Sequence, residues 1–176
     1  SPYAVSELAA ESYAKTFRQA YGLETVCLRY FNVYGPRQTS SPYSGTITIF
    51  ADQLFQNKHP FVFGDGTQTR DFVFVEDVVA ANMLALNKKA ATGEVFNVGT
   101  GKATSVNELL NDLIEITNRK ALKPLYGEPR PGDIKHSYAN IEKAQKVLGY
   151  HPSFSIKKGL EKLVKWYEHH RTNHSN

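Results

Sequence analysis

Two arginines in separate polar segments are the residues best suited to bind a phosphorylated ligand. Arg70 follows a glycine-rich turn, and Arg130 lies in a proline-rich segment that ends at Asp133. Guanidinium groups from two loops can both donate paired hydrogen bonds to the oxygens of one diphosphate, a geometry that lysines could not reproduce. The alternative for Arg70 is a surface salt bridge with Asp71 or Glu76. The alternative for Arg130 is such a bridge with Asp133, and the residues taken singly leave both interpretations open.

A tyrosine near the start of the chain could move protons only with help from a nearby positive charge. A phenol loses its proton only at alkaline pH, so a tyrosine that acts as a base at neutral pH needs a cation to stabilise its phenolate. Glu7 follows Tyr3 by one turn, on the same face of a predicted helix. Because a carboxylate disfavours the phenolate, we predict that Tyr3 is a poor acid–base catalyst. An aromatic residue at the start of a helix is the alternative interpretation.

The glycine pairs of the chain do not form a dinucleotide-binding loop. Such a loop needs a third glycine, and it joins a strand to a helix. Residues 64–69 and 99–104 both lack the third glycine, and the second segment also fails as a P-loop. The six histidines show no metal-ligand spacing such as His-Glu-x-x-His. We therefore expect that this chain alone binds neither NAD nor a metal.

The composition predicts one globular unit. The chain has 176 residues, 41% of them hydrophobic and 22% charged, which is enough to bury one core. The net charge of +4 comes partly from lysines at helical spacing among apolar residues, which favours a solvated helix face over a nucleic-acid site. With no apolar run near the ~20 residues that cross a bilayer and no signal peptide, we expect no membrane partner and a cytosolic location. Cys27, in an apolar run, is expected to be buried.

Helical and extended patterns alternate along the chain, which is typical of an α/β fold. Helices are predicted over about 5–21, 47–56, 76–86, 106–114, 141–148 and 156–167, and strands over 24–34, 61–63, 70–75, 94–98 and 122–126. The strand over 24–34 is continuously apolar in its middle, so we expect burial on both faces. Ser105 and Glu108 form a capping box, and Glu76 and Asp77 favour the positive end of a helix dipole. We expect a loop over 39–45 and fraying from residue 169.

Four sequence blocks together resemble the extended short-chain dehydrogenases/reductases, the family of NAD-dependent nucleotide-sugar epimerases and dehydratases. Residues 1–7 match its Tyr-x-x-x-Lys helix except at Glu7, and residues 28–36, 61–73 and 129–133 match later blocks in the same order. The resemblance extends over essentially the whole chain. It implies that residues 1–36 are the remnant of a Rossmann-type parallel sheet whose N-terminal dinucleotide-binding half is missing. Residues 37–176 would then form mainly the small α/β substrate-binding domain.

The resemblance is strongest to the UDP-sugar 4-epimerases, and it implies roles for the matching residues. Tyr3 would be the catalytic acid–base and, with Phe31, would line a vestigial NAD site. Substrate contacts are implied for Asn32, Thr46, Ile47, Val62, Phe63, Gln68, Arg70, Arg130, Asp133 and Ser137. In this assignment the residues of block 61–73 bracket the uracil and supply one arginine to the diphosphate. The second arginine comes from block 129–133, whose aspartate holds a ribose hydroxyl.

Two positions differ informatively from the family pattern. Thr46-Ile47 replaces an Asn-Leu pair, which weakens one backbone-mediated contact with the substrate. Ser137 matches the position that forms a wall of the sugar pocket, where a bulky residue excludes 2-acetamido sugars. Because serine is small, we predict room for UDP-GlcNAc or UDP-GalNAc as well as for UDP-glucose or UDP-galactose.

The family chemistry is hydride transfer from the sugar C4 to NAD, rotation of the 4-keto intermediate, and return of the hydride to the other face. Because this chain has neither the lysine nor a dinucleotide loop, we predict no turnover by the chain alone. The favoured interpretation is the UDP-sugar-binding half of a 4-epimerase. The alternatives are a non-catalytic UDP-sugar or UDP-binding module, an interaction domain, or a fragment of a dehydratase or decarboxylase. Leu8, Tyr13 and Phe17 on the first helix could form a homodimer interface or cover a core left bare by the missing half.

Overall fold

The computed structural model describes residues 2–38 and 45–171, and it confirms the mixed α/β architecture. The helices are α1 (Pro2–Tyr21), α2 (Thr46–Phe55), α3 (Val75–Asn87), α4 (Val106–Ile116), α5 (Glu142–Leu148) and α6 (Ile156–Arg171). The strands are β1 (Cys27–Tyr30), β2 (Asn32–Tyr34), β3 (Phe61–Phe63), β4 (Thr69–Arg70), β5 (Phe72–Phe74), β6 (Val95–Val98), β7 (Thr104–Ser105) and β8 (Leu125–Gly127). Most of the loop predicted over 39–45 lies outside the described residues, as does the chain from residue 172.

The strands form short pairs, most of them parallel. β1 pairs with β6, β2 with β5 and β3 with β8 in parallel, whereas β4 and β7 run antiparallel. The single strand predicted over 24–34 is divided, because the Phe31 amide donates to the Val98 carbonyl (3.0 Å) and the Asn32 amide to the Asp71 carbonyl (2.9 Å). The chain therefore changes partner strand between these two residues.

The prediction that this segment is buried on both faces is wrong. Arg29, Tyr30 and Asn32 are exposed, and Cys27 is half-buried, not buried as expected. Partial burial still raises the pKa of the Cys27 thiol, because the thiolate loses solvent. The physical reason for the exposure is an open groove between β1 and α1, which leaves side chains of both elements in contact with water.

Two apolar clusters form the core. The first joins the buried faces of α2, α4 and α6 to β3 and β5. The second joins α3, α5 and β6. The predicted apolar face of the last helix is confirmed, since Leu160, Leu163, Val164 and Tyr167 are all buried. The first cluster forms the floor on which the candidate site lies.

The local helix signals are mostly confirmed. In the capping box, the Glu108 amide donates to the Ser105 hydroxyl (3.1 Å) and the Ser105 amide donates to the Glu108 carboxylate (2.8 Å). Fraying from residue 169 is wrong for His169 and His170, which belong to α6. The imidazole of His170 stacks on Trp166, one turn earlier in the helix, with ring centres 4.6 Å apart. Within the described ranges, no helix is both long and apolar enough to cross a membrane.

Among the residues that the structure describes, two carboxylates are buried without a cationic partner. Asp71 accepts hydrogen bonds from the amides of Thr100 (2.8 Å), Gly101 (2.9 Å) and Ala139 (3.2 Å). Asp77 does lie in the first turn of α3, but it is 2% exposed and accepts the amide of Ser153 (2.8 Å). Its contact with a distant loop, which the helix-dipole argument did not predict, compensates the cost of its burial.

Candidate functional site

A cavity of about 200 Å³ lies between α2, β3, β4, the first turn of α4 and the loop that follows β8. Its lining consists of Thr46, Ile49, Phe50, Phe61, Val62, Phe63, Gln68, Arg70, Val106, Arg130 and Asp133. Seven of these are among the ten substrate-contact residues predicted from the sequence. The cavity therefore brings together most of the predicted ligand residues, which come from segments far apart in the chain.

Arg70 is the most buried cation of the cavity. Its guanidinium donates to the carboxylate of Asp133 (2.6 Å) and to the carbonyl of Thr69 (2.8 Å), and its side chain is 17% exposed. Neither of the salt bridges considered from the sequence is formed: Asp71 accepts backbone amides, and Glu76 pairs with a lysine of α6. The bond to Asp133 holds the guanidinium in place at the wall of the cavity.

Arg130 reaches the same cavity from the opposite loop. Its guanidinium carbon lies 4.0 Å from the centre of the Phe63 ring, in a cation–π contact. Among the residues that the structure describes, it forms no salt bridge, and Asp133 is engaged by Arg70 instead. Both predicted arginines thus line one cleft, and the cleft carries two guanidinium groups against a single carboxylate.

The turn after β3 is held by the first turn of α4. The amides of Val106 and Asn107 donate to the carbonyls of Gln68 (3.1 Å) and Gly66 (3.0 Å), and the Asn107 side chain donates to the Asp65 carbonyl (2.9 Å). The hydroxyl of Tyr126 on β8 donates to the same Asn107 side chain (3.1 Å). Asn107 therefore joins the turn after β3 to β8 beside the cavity.

Sequence reasoning missed Asn107, although the turn offered one signal. Gly66 has φ +72°, and a Cβ built there would lie 2.0 Å from the Asn107 side-chain oxygen. The turn is also ordered internally, because the Thr67 hydroxyl donates to Asp65 (2.7 Å) and lowers the pKa of that carboxyl to about 2. At the end of the turn, the side-chain amide of Gln68 donates to the Phe63 carbonyl (2.9 Å).

Three predicted substrate residues do not line this cavity. The side chain of Ile47 is buried in the first core cluster, and Ile49 and Phe50 face the cavity instead. Asn32 is exposed at the start of β2. Ser137 donates its amide to the Thr69 carbonyl (3.1 Å), next to the strand that carries Arg70.

Tyr3 and Glu7 lie in a second, open groove between α1 and β1, which does not include Arg70 or Arg130. Tyr3 is 72% exposed, and Phe31 packs at the edge of the second core cluster. In this groove Arg29 donates two hydrogen bonds to Glu11 (2.7 and 2.9 Å). These bonds, with one from Lys15, lower the pKa of the Glu11 carboxyl to about 2.

Neither of the two glycine segments that the structure describes fits a dinucleotide. The amides of Thr100 and Gly101 are bound by Asp71, so they cannot donate to a pyrophosphate. Both glycine segments lead into strands, β4 and β7, where a dinucleotide loop leads into a helix. In the same part of the chain, no cluster of three or more His, Cys, Asp or Glu side chains could hold a metal ion.

The chain is similar to known proteins over most of its length. The sequence profile of the NAD dependent epimerase/dehydratase family matches residues 1–99. A UDP-glucose 4-epimerase homologue of Methanocaldococcus jannaschii is 45% identical over 94% of this chain and 53% of its own length. The chain thus spans about half the length of the curated relatives it matches.

Two solved structures superpose on nearly the whole chain. The UDP-glucose 4-epimerase of Thermotoga maritima, crystallised with UDP-glucose, has a TM-score of 0.92 and 40% identity, over 97% of this chain and 54% of its own. The UDP-glucuronic acid 4-epimerase of Bacillus cereus, in complex with UDP-glucuronic acid and NAD, has a TM-score of 0.87 and 34% identity, over 96% and 53%. Each is a protein that this chain resembles over a shared half.

Proposed function

Because the chain belongs to the NAD-dependent epimerase/dehydratase family, we propose that it is the UDP-sugar-binding half of a nucleotide-sugar 4-epimerase. The observation that carries this proposal is the convergence of Arg70 and Arg130 on one cavity. Two forked guanidinium groups can share the four or more oxygens of a diphosphate, with bonds about twice as strong as those between neutral groups. Asp133 accepts from Arg70 in the free protein, and it is available to a ribose hydroxyl when a diphosphate takes over that arginine.

The remaining predicted residues divide along the ligand. Val62, Phe63 and Gln68 line the same part of the cavity wall, where the base would lie. The sugar would extend from the diphosphate towards Asn32, Thr46 and Ser137, with Ile47 contributing through its backbone. The absence of a bulky side chain at Ser137 supports acceptance of N-acetylated sugars alongside glucose and galactose.

Titration calorimetry of the chain with UDP tests the proposal directly. We expect binding to the unmodified chain, and Arg70→Ala should weaken it by about 10- to 100-fold, the loss of one or two hydrogen bonds to a charged group. Lys165→Ala removes the same charge from an exposed position of α6 and should leave the affinity unchanged. Absence of UDP binding would contradict the proposal. An equal loss of UDP affinity in Arg70→Ala and Lys165→Ala would show a general effect of charge and no specific role for Arg70. UDP-GlcNAc and UDP-glucose should bind within about a factor of ten of each other.

We further propose that the chain does not turn over its substrate without a separate dinucleotide-binding partner. Glu7 stands where the family has lysine, so a phenolate at Tyr3 meets a carboxylate instead of a stabilising cation. NAD supplies the hydride acceptor in the family reaction, and neither of the described glycine segments fits it. NMR of UDP-glucose incubated with the chain and NAD should show no UDP-galactose; its formation would contradict this proposal.

The exposed face of α1 supports a protein partner. Leu8, Tyr13 and Phe17 are 61%, 68% and 47% exposed, and α1 contains no buried residue. A parallel strand such as β1 is normally covered on both faces. We propose that a second copy of the chain covers α1, and light scattering should then show a dimer that Leu8→Glu dissociates. If both the unmodified chain and the variant are monomers, the result would favour the dinucleotide-binding half as the partner that covers α1.

A further inference from the structure

We propose that Arg130 also makes the site selective for nucleoside diphosphates over nucleosides, because in the free pocket its guanidinium occupies the stacking face of Phe63. This inference rests on the proposed function and concerns the same cavity. It assigns Arg130 a second role, in which the arginine competes with the base before it contacts the phosphates.

The contact geometry carries the inference. The guanidinium carbon lies 4.0 Å from the centroid of Phe63, close enough for the planar group to cover the ring. The other aromatic neighbour, Phe61, meets Phe63 edge-to-face with ring centres 5.0 Å apart, so these two rings do not stack on each other. Phe63 is 38% exposed, and it lines the cavity together with Arg130.

Nothing else among the described residues competes for this guanidinium. Of the two carboxylates nearest in sequence, Asp133 is bonded to Arg70 at 2.6 Å, and Glu128 forms no salt bridge with Arg130 among the described residues. Arg130 lies in an exposed loop, where its side chain can rotate without disturbing the core. Its position over Phe63 is therefore held mainly by the ring, and a ligand that binds the guanidinium better can displace it.

A guanidinium group and a nucleobase can both stack on the face of an aromatic ring. Both are planar, delocalised and able to stack on an aromatic face, so one excludes the other from the same face of Phe63. A uridine must displace Arg130 and offers it no anion in return. A UDP displaces it too, but its diphosphate then accepts charge-assisted hydrogen bonds from the freed guanidinium.

The predicted signature is an opposite effect of one substitution on two ligands. Arg130→Ala should tighten uridine binding by about two- to fivefold, because an exposed cation–π contact of this strength no longer competes. The same substitution should weaken UDP binding by about tenfold or more, since one phosphate ligand is lost. NMR titration with uridine and calorimetry with UDP measure the two affinities on the full chain.

A double variant isolates the role of the ring. In a Phe63→Leu background the stacking face is absent, so adding Arg130→Ala should give no tightening of uridine binding. Lys165→Ala serves as the charge control and should change neither affinity. Thermal melts of each variant check that the fold is retained, which is expected because Arg130 is exposed.

The outcomes separate this inference from the proposed function. Binding of UDP to the unmodified chain, with uridine affinity unchanged or weakened in Arg130→Ala, would overturn the selectivity role alone. Failure of the unmodified chain to bind UDP would overturn both. Tightening of uridine by Arg130→Ala in the Phe63→Leu background would also overturn the inference, because the competition would then not involve the ring.

Discussion

Replacing Asn107 with alanine should weaken UDP binding as well as the fold. The substitution removes the side-chain bond to the Asp65 carbonyl (2.9 Å) and the bond from Tyr126 (3.1 Å), and it keeps the backbone bond to Gly66. These two bonds connect the turn between Phe63 and Gln68 to α4 and to β8. Without these bonds the free turn is less ordered, so part of the UDP binding energy must be used to order it.

The magnitude follows from the exposure of the two bonds. A neutral hydrogen bond contributes about 0.5–1.5 kcal/mol, and exposed ones lie in the lower part of that range, so the pair contributes about 1–2 kcal/mol. For a chain of this size that corresponds to a fall in melting temperature of about 3–6 °C. If most of this energy is spent on reordering the turn, the UDP dissociation constant should rise about tenfold.

Asn82 on α3 provides a matched control. It makes the same two kinds of bond, donating to the Val78 carbonyl (2.8 Å) and accepting from Tyr30 (2.9 Å), but it lies outside the cavity. Asn82→Ala should lower the melting temperature by a similar amount and leave the UDP affinity unchanged. Scanning calorimetry and UDP titration of both variants give the comparison. Equal UDP affinities in the two variants would refute the role assigned to Asn107.

Two further predictions concern buried and paired carboxylates. Asp77 accepts hydrogen bonds from the Ser153 amide and hydroxyl (both 2.8 Å), and Asp77→Asn replaces this acceptor with a group that is partly a donor. Urea unfolding should show that the free energy of unfolding falls by about 2–4 kcal/mol. A fall below about 0.5 kcal/mol would contradict this assignment. The pKa of Glu11 is lowered from 4.5 to about 2 by Arg29 and Lys15, so its contribution is complete above pH 4.5 and is lost as the pH falls towards 2. The urea midpoint of Glu11→Gln should therefore change less than that of the parent between pH 5 and 2.5, and parallel curves would show that the groove pair does not stabilise the fold.

The sequence alone determined the features that depend on neighbouring residues. The capping box of Ser105 and Glu108 and the apolar face of α6 formed where the spacing predicted them, because their bonds and contacts repeat within a turn or two. The resemblance of whole blocks also identified the family and most of the cavity lining. These signals are local in the chain or depend on several short segments in a fixed order.

Only the tertiary structure decided which distant groups meet. Arg70 pairs with Asp133, 63 positions away, and not with its sequence neighbour Asp71, whose carboxylate turns inward to bind the amides of a distant loop. No sequence motif marks Asn107. It contacts the turn at Gly66 because α4 starts beside that turn. A side chain's partner is set by the packing of elements in space. Local spacing can name the residues able to bind a diphosphate, but their convergence follows from how the strands and loops are brought together.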